Sequence, residues 1–272
     1  VKEFVENYLK PAVFASLADL YPLLDDSDWR VRREVALALS RVPSPEVAME
    51  PLLDAVERGD VSRRNAAIEA LRHIGSRAES AVLARLARAT GSARRFLVEV
   101  LADAGTDESV PVLRKLLHDG DANVPPAAAE VLGRVRGPAA ADALRDALAH
   151  PDPVVRLAAL QAFTSREERL RWDELAPLLL DPLCRRSALR ASAGGDDPRA
   201  VEAAAEALLH GAPAMSGEGA IACVLSTRAG RGEIVRAALR ERGADACAAV
   251  LVRLAERSAA SEVRAAAVSC LG

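Results

Sequence analysis

The chain predicts an all-α fold, a right-handed α-solenoid of about seven to eight antiparallel helix pairs. Three observations carry this. A phrase of about thirty residues recurs, with its fullest copy at Asp152-Pro153-Val154-Val155-Arg156-Leu157-Ala158-Ala159-Leu160-Gln161-Ala162-Phe163. Its anchor position falls at 31, 63, 93, 124, 155 and 184, in steps of 32, 30, 31, 31 and 29. Half the residues are apolar but only 3% are aromatic, so Ala, Val and Leu supply the packing, as close helix-on-helix contact favours. At 272 residues the chain exceeds what one compact core usually serves, whereas a stack lengthens its core with every repeat.

Taken in order, residues 1–11 read as an N-terminal cap or the remnant of an earlier repeat, 12–195 as regular repeats and 196–272 as divergent ones, all in a single solenoid. Ahead of each phrase lies a stretch with leucines at helical spacing: 12–24, 45–56, 79–89, 109–117, 139–148, 174–180 and 200–209. Each repeat is therefore helix A followed by helix B. The joints Arg58-Gly59-Asp60, Thr90-Gly91-Ser92, Asp119-Gly120-Asp121 and Pro151-Asp152-Pro153 combine a helix stop with a group able to cap the next helix. Counted from the anchor, positions 0, +4, +7, +8 and +11 of helix B are apolar or small in most copies and form the stripe to be buried. After residue 195 two registers compete for the segment 246–257, one making it helix B behind 233–240, the other helix A ahead of 262–271.

Two charged positions recur with the stripe. An Arg follows the anchor as Arg32, Arg64, Arg94, Arg156 and Arg185, and an Asp precedes it by three as Asp28, Asp60, Asp121, Asp152 and Asp181. This is the pattern of a structural ladder, in which each Arg bridges to an Asp of its own or the next turn. Pro125 replaces the Arg in the fourth repeat, where Pro125-Pro126 fits only a helix start.

The phrase Asp-x-x-Val-Arg-x-x-Ala, followed by Ala-Leu, resembles the HEAT repeat, in particular its short form of about 31 residues first named for phycobilisome lyases. The resemblance covers roughly residues 12–195 and continues more weakly to the end. It implies the solenoid. For activity it implies several classes, since such proteins include scaffolds, chaperones, bilin lyases, a di-iron hydroxylase and DNA glycosylase relatives.

Residue chemistry narrows these classes. Lys+Arg 36 against Asp+Glu 39 leaves a net charge of −3, which offers no general field for a polyanion, so no nucleic-acid partner is expected. A glycosylase-like protein would also want a basic cleft lined with aromatic residues, whereas Trp29 and Trp172 lie far apart in the array. His73, His118, His150 and His210 lie near helix ends, where a His complements the negative end of the helix dipole, and the His-Glu pairs that iron would need are missing. Neither a Ser-His-Asp set nor a phosphate-cradling glycine loop is found, so no catalytic residue, cofactor or metal is expected. Cys184, Cys223, Cys247 and Cys270 lack paired spacing and read as small core residues suited to a reducing cytoplasm. No apolar run is long enough to cross a bilayer and Val1-Lys2-Glu3-Phe4 is not a signal peptide, so no membrane association is expected. Arg outnumbers Lys, present only at Lys2, Lys10 and Lys115, a coding bias pointing to a bacterial source. An opening Val and a closing Cys270-Leu271-Gly272 suggest a fragment of a longer protein.

The expected function is then a non-catalytic scaffold or adaptor, with a bilin lyase or chaperone subunit as the alternative and a glycosylase-like protein third. Helix B lines the concave side in solenoids of this class, so positions +2, +3 and +6 face a partner. They supply Arg33, Arg95 and Arg186 at +2, Phe96 at +3, and Leu37, Glu69, Glu99, Glu130, Gln161 and Arg190 at +6. The row Glu69, Glu99, Glu130 predicts a protein or peptide partner with a basic centre, anchored on Phe96.

Overall fold

The computed structural model describes residues 19–42, 46–166, 168–192, 199, 244–257, 264, 265 and 268. The chain divides into two compact units, Val1–Leu144 and Arg145–Gly272. The first begins with a 3-10 turn, Tyr21–Asp25, followed by α1 (Trp29–Ser40), α2 (Glu46–Arg58), α3 (Val61–Ile74), α4 (Glu79–Leu86), α5 (Ala93–Ala104), α6 (Val110–Leu116) and α7 (Val124–Arg134). The boundary between units falls within α8 (Pro138–Ala147). The second unit holds α9 (Pro153–Arg166), α10 (Trp172–Leu175) with the 3-10 turn Ala176–Leu180, α11 (Arg185–Ser192) and α12 (Ala244–Arg257). Odd-numbered helices from α1 to α11 are the B helices of the six phrases and even-numbered ones from α2 to α10 the A helices. No strand occurs among the described residues.

Residues of the predicted stripe are buried along the B helices. In α5, Leu97, Val100, Leu101 and Ala104 are all inside, and in α9 so are Val155, Ala159, Ala162 and Phe163. At +11 the fifth repeat departs from the pattern, since Arg166 is buried there with its charge answered by Glu168 at 2.7 Å. Cys184 occupies its anchor position as a core residue, and burial pushes its thiol up to about 11. Cys223, Cys247 and Cys270 lie outside the residues whose side chains are described, as do the predicted N-terminal cap and the segment 200–209. Helix α12 contains the 246–257 segment, while the helices that would decide its pairing also lie outside.

Where an Asp stands three before the anchor it accepts a backbone N–H in the turn that starts helix B, whereas Ser92, the capping group expected at the third joint, makes no side-chain cap bond. The Asp28 carboxylate accepts from the Arg30 N–H at 2.9 Å, Asp60 from Arg63 at 2.9 Å, Asp121 from Asn123 at 3.0 Å, Asp152 from Val154 at 2.8 Å and Asp181 from Leu183 at 2.8 Å. At the other end of α3, Gly75 ends the helix with φ +68°, a conformation costly for a residue with a Cβ. Two A segments are tighter than an α-helix. Pro22 lies in the first 3-10 turn and Pro177 in the last, and because Pro177 has no N–H to donate four residues back, the expected helix over 174–180 breaks into one α-turn and a 3-10 turn.

The recurrent Arg does more than the sequence suggests. Its guanidinium turns back onto carbonyls at the end of the preceding A segment: Arg32 donates to Asp26 O at 2.5 Å and Ser27 O at 3.1 Å, and Arg64 to Val56 O at 3.1 Å and Gly59 O at 2.7 Å. Arg94 donates to Ala89 O at 2.8 Å, Arg156 to His150 O at 2.6 Å and Arg185 to Leu179 O at 2.6 Å. Arg94 also bridges to Asp119 and Arg156 to Asp181 in the next repeat, both at 2.5 Å. The main partner of the ladder Arg is thus a carbonyl left unpaired by the helix above it, with the carboxylate added where available.

Between A helices a different charge cluster forms. Arg85 of α4, its side chain 5% exposed, donates through Nη1 to Asp54 at 2.7 Å and Glu57 at 2.8 Å and through Nη2 to Glu50, three carboxylates on one face of α2. Its Nε has no partner. Burial works against its charge, and the hydrogen-bonding carboxylates outweigh that and raise the guanidinium pKa. In the next joint the buried Glu79 carboxylate accepts from the Thr106 N–H at 2.6 Å and hydroxyl at 2.7 Å.

Removing the Arg85 cation leaves three carboxylates facing one another, so Arg85→Ala is expected to lower the unfolding free energy by about 3 kcal/mol, read as a fall in the urea midpoint, with Arg85→Lys only partly restoring it. Bonding to Arg156 holds the Asp181 carboxyl at about 2, below its ordinary 3.8. The stability this confers is fully present above about pH 4 and is lost as pH falls through the folded value near 2. In acid titrations monitored by circular dichroism, Asp181→Asn should lose stability less steeply over that interval than the natural chain.

Candidate functional site

Within the first unit the B helices pack one on the next, α1 with α3, α3 with α5 and α5 with α7, whereas α2 and α4 of the A layer meet sparsely. Along that B layer run two adjoining depressions. One of about 590 Å³ is lined by Asn65, Ile68, Glu69, Arg72, His73, Glu99 and Asp103. Its neighbour, about 280 Å³, is lined by Arg72, Arg95, Glu99 and Glu130, with Ala102, Ala127, Val131 and Arg134. Arg72 and Glu99 belong to both, so the two form one groove across α3, α5 and α7.

The structure therefore brings together Glu69, Glu99, Glu130 and Arg95 of the predicted face. Arg33 of α1 joins them through Glu69, at 3.7 Å. Leu37 is half-buried in α1, part of the packing as much as of the surface. Phe96 is placed differently from the rest. Its ring is half-buried, with the Arg64 guanidinium 4.3 Å from its centroid and that of Arg95 at 5.7 Å, and it is not among the residues lining the groove. Arg64 is itself fixed on the Val56 and Gly59 carbonyls, so the ring supports a joint of the stack. Gln161 and Arg186 are exposed in the second unit, and the Arg190 side chain lies outside those described.

The groove also contains charges the sequence reading passed over. Arg72, Asp103 and Arg134 sit nine or ten residues after their anchors in three consecutive repeats. Asp103 pairs with Arg72 on one side and lies 3.8 Å from Arg134 on the other. The alternation of sign at this position across three consecutive repeats is the sequence signal for it. The lining thus holds four carboxylates, Glu69, Glu99, Asp103 and Glu130, and three guanidinium groups, Arg72, Arg95 and Arg134. Glu99 and Glu130 are exposed and make no hydrogen bond or ion pair with another described residue.

Other features considered for chemistry are structural. His73 Nδ1 lies 2.7 Å from the Glu69 carbonyl, and His150 Nδ1 accepts from the Asp152 N–H at 3.1 Å in the turn before α9. No group of three or more His, Cys, Asp or Glu able to hold a metal occurs among the described residues. Trp29 opens α1 with 56% of its surface exposed and the Arg30 guanidinium 5.8 Å from its ring. No helix among the described residues is long and apolar enough to cross a membrane.

Residues 10–72 and 79–164 match the family described as HEAT repeats. None of the curated proteins compared with the chain matches it. Among solved structures, two crystal structures of engineered proteins are similar. One is 22% identical with a TM-score of 0.47, the match covering 94% of this chain and 77% of that one. The other is 21% identical with a TM-score of 0.27, covering 95% and 96%.

Because the Phe96 ring carries Arg64, Phe96→Ala is expected to cost about 1–2 kcal/mol of stability, visible as a lowered thermal midpoint. Phe96→Leu, which keeps bulk but not the π-face, should fall between that variant and the natural chain.

Proposed function

Since the chain belongs to the HEAT-repeat family, we propose that it is a non-catalytic scaffold that binds a protein partner along the B-helix groove of its first unit. The observation that supports this best is the groove itself, which crosses three consecutive repeats and mixes small apolar side chains with charges at its floor and rim. Ala102, Ala127 and Val131 leave room for a partner backbone or helix to approach, while Glu99 and Glu130 stand unengaged. Such a surface suits protein–protein recognition, where a desolvated centre is ringed by polar groups.

A lining that mixes four carboxylates, Glu69, Glu99, Asp103 and Glu130, with three guanidinium groups, Arg72, Arg95 and Arg134, offers no uniformly basic surface to a polyanionic partner. The four charged side chains of the ladder and clusters that first look like chemistry, Arg64, Arg85, Arg94 and Arg156, are occupied by carbonyls and carboxylates. The proposed location is a reducing cytoplasm, which suits a small cysteine packed in the core at Cys184.

Filling the groove tests the proposal. In affinity capture from the native host, Ala102→Arg together with Ala127→Arg should remove a partner that the natural chain retains, with the thermal midpoint unchanged within about 1 kcal/mol. Lys115→Glu on α6, in the A layer, should leave capture intact. Retention of every partner by the filled groove would sink the reading.

A further inference from the structure

At five of the six A-to-B joints an Arg follows the anchor, and each of those guanidinium groups lies on a carbonyl of its own joint. The fourth joint, between α6 and α7, has Pro125 in that place. Pro125 and Pro126 preset the backbone at the start of α7 but bring no donor, from side chain or backbone. The ladder charge at this joint comes from the repeat before. Arg94 donates through Nε to Ala89 O in the third joint at 2.8 Å and through Nη1 to the Asp119 carboxylate in the fourth at 2.5 Å. Asp119, its side chain 6% exposed, also accepts from the Asp121 N–H at 2.9 Å, and so connects that guanidinium to the backbone of the turn. Arg156 makes the same two kinds of bond, to His150 O and to Asp181, but the sixth joint also has its own Arg185 on Leu179 O at 2.6 Å.

We propose that Arg94 is a latch shared by two consecutive repeats: while it is engaged the third and fourth joints are both closed, and its release opens both. Two physical terms drive the opening. The third joint loses a charge-assisted bond to its carbonyl, and in the fourth the nearly buried Asp119 carboxylate loses its countercharge and is rehydrated when the turn opens. Helix α6, seven residues long, is too short to hold the hairpin by its own cooperativity. The latch also joins the two sides of the smaller depression, to which α5 gives Glu99 and Ala102 and α7 gives Ala127 and Glu130. A displacement at the start of α5 is thereby passed to the start of α7. This holds whether or not the depression receives a partner.

Amide hydrogen exchange of the full chain, followed by mass spectrometry of peptides covering residues 89–94, 117–124, 150–156 and 179–185, tests the latch. Arg94→Ala should speed exchange about tenfold or more in both 89–94 and 117–124. Arg156→Ala should speed 150–156 and leave 179–185 within about twofold of the natural chain, because Arg185 stays in place. Adding Asp119→Asn to Arg94→Ala removes the buried charge yet keeps an acceptor for the Asp121 N–H, so 117–124 should regain most of its protection while 89–94 stays fast. Natural protection of 117–124 in Arg94→Ala, equal opening of the fifth and sixth joints in Arg156→Ala, or undiminished exchange of 117–124 in the double variant would each overturn the proposal. If Arg94→Ala unfolds throughout, Arg94→Lys decides: one ammonium cannot span both partners, so at least one of the two stretches should exchange faster, and natural protection of both overturns the latch.

Discussion

The turn from helix A to helix B sets the terms for everything else in this chain. A helix that stops abruptly leaves carbonyls without donors, and one that starts abruptly leaves N–H groups without acceptors; here both ends meet within a few residues, so both deficits fall in one place. An Asp supplies the acceptor and an Arg the donors. Five guanidinium groups lie on the carbonyls of the segment before them, at Arg32, Arg64, Arg94, Arg156 and Arg185. With the hairpin fixed in this way, the B helices α1, α3, α5 and α7 of the first unit pack in succession, and surface positions between their stripes come together. The groove is a by-product of that regularity.

Much of this was legible in the sequence, for a physical reason. A stack repeats its constraints, so a residue needed at each joint appears at each period, and the accepting Asp28, Asp60, Asp121, Asp152 and Asp181 and buried stripe positions such as Leu97, Leu101 and Phe163 could be read by counting. The family and its helical pairs follow from the same count. What periodicity could not reveal was the identity of partners across space. The ladder Arg was expected on a carboxylate, and its first partner is a backbone carbonyl, a group every residue carries and no sequence advertises. Arg85 and Glu79 are buried charges without counterparts in the other copies, so nothing in the repeat foretold them.

The candidate face shows the same division. Of the +6 residues, Glu99 and Glu130 share one depression and Glu69 lines the adjoining one. Which of the three is free depends on Arg33, at the start of the preceding B helix, and on no feature of the acidic row itself. Phe96 looked like an anchor because aromatic residues are scarce here, yet its ring lies under a guanidinium that belongs to the joint before it. Arg72, Asp103 and Arg134 form the opposite case, individually ordinary and significant only as a chain of alternating sign.

The two kinds of bond made by the ladder Arg differ in how much chain they need. From Arg156 the carbonyls of His150 and Pro151 are six and five residues back, while Asp181 is 25 residues ahead; from Arg94, Ala89 is five back and Asp119 again 25 ahead. On a ribosome adding about 5–20 residues per second, the first bond can close as soon as the B helix emerges, and the second must wait more than a second for the following repeat. Each newly made hairpin can thus hold its shape before it has a neighbour to pack on, and the next repeat, on arrival, finds a guanidinium already aimed at it. Synthesis order and stacking order coincide.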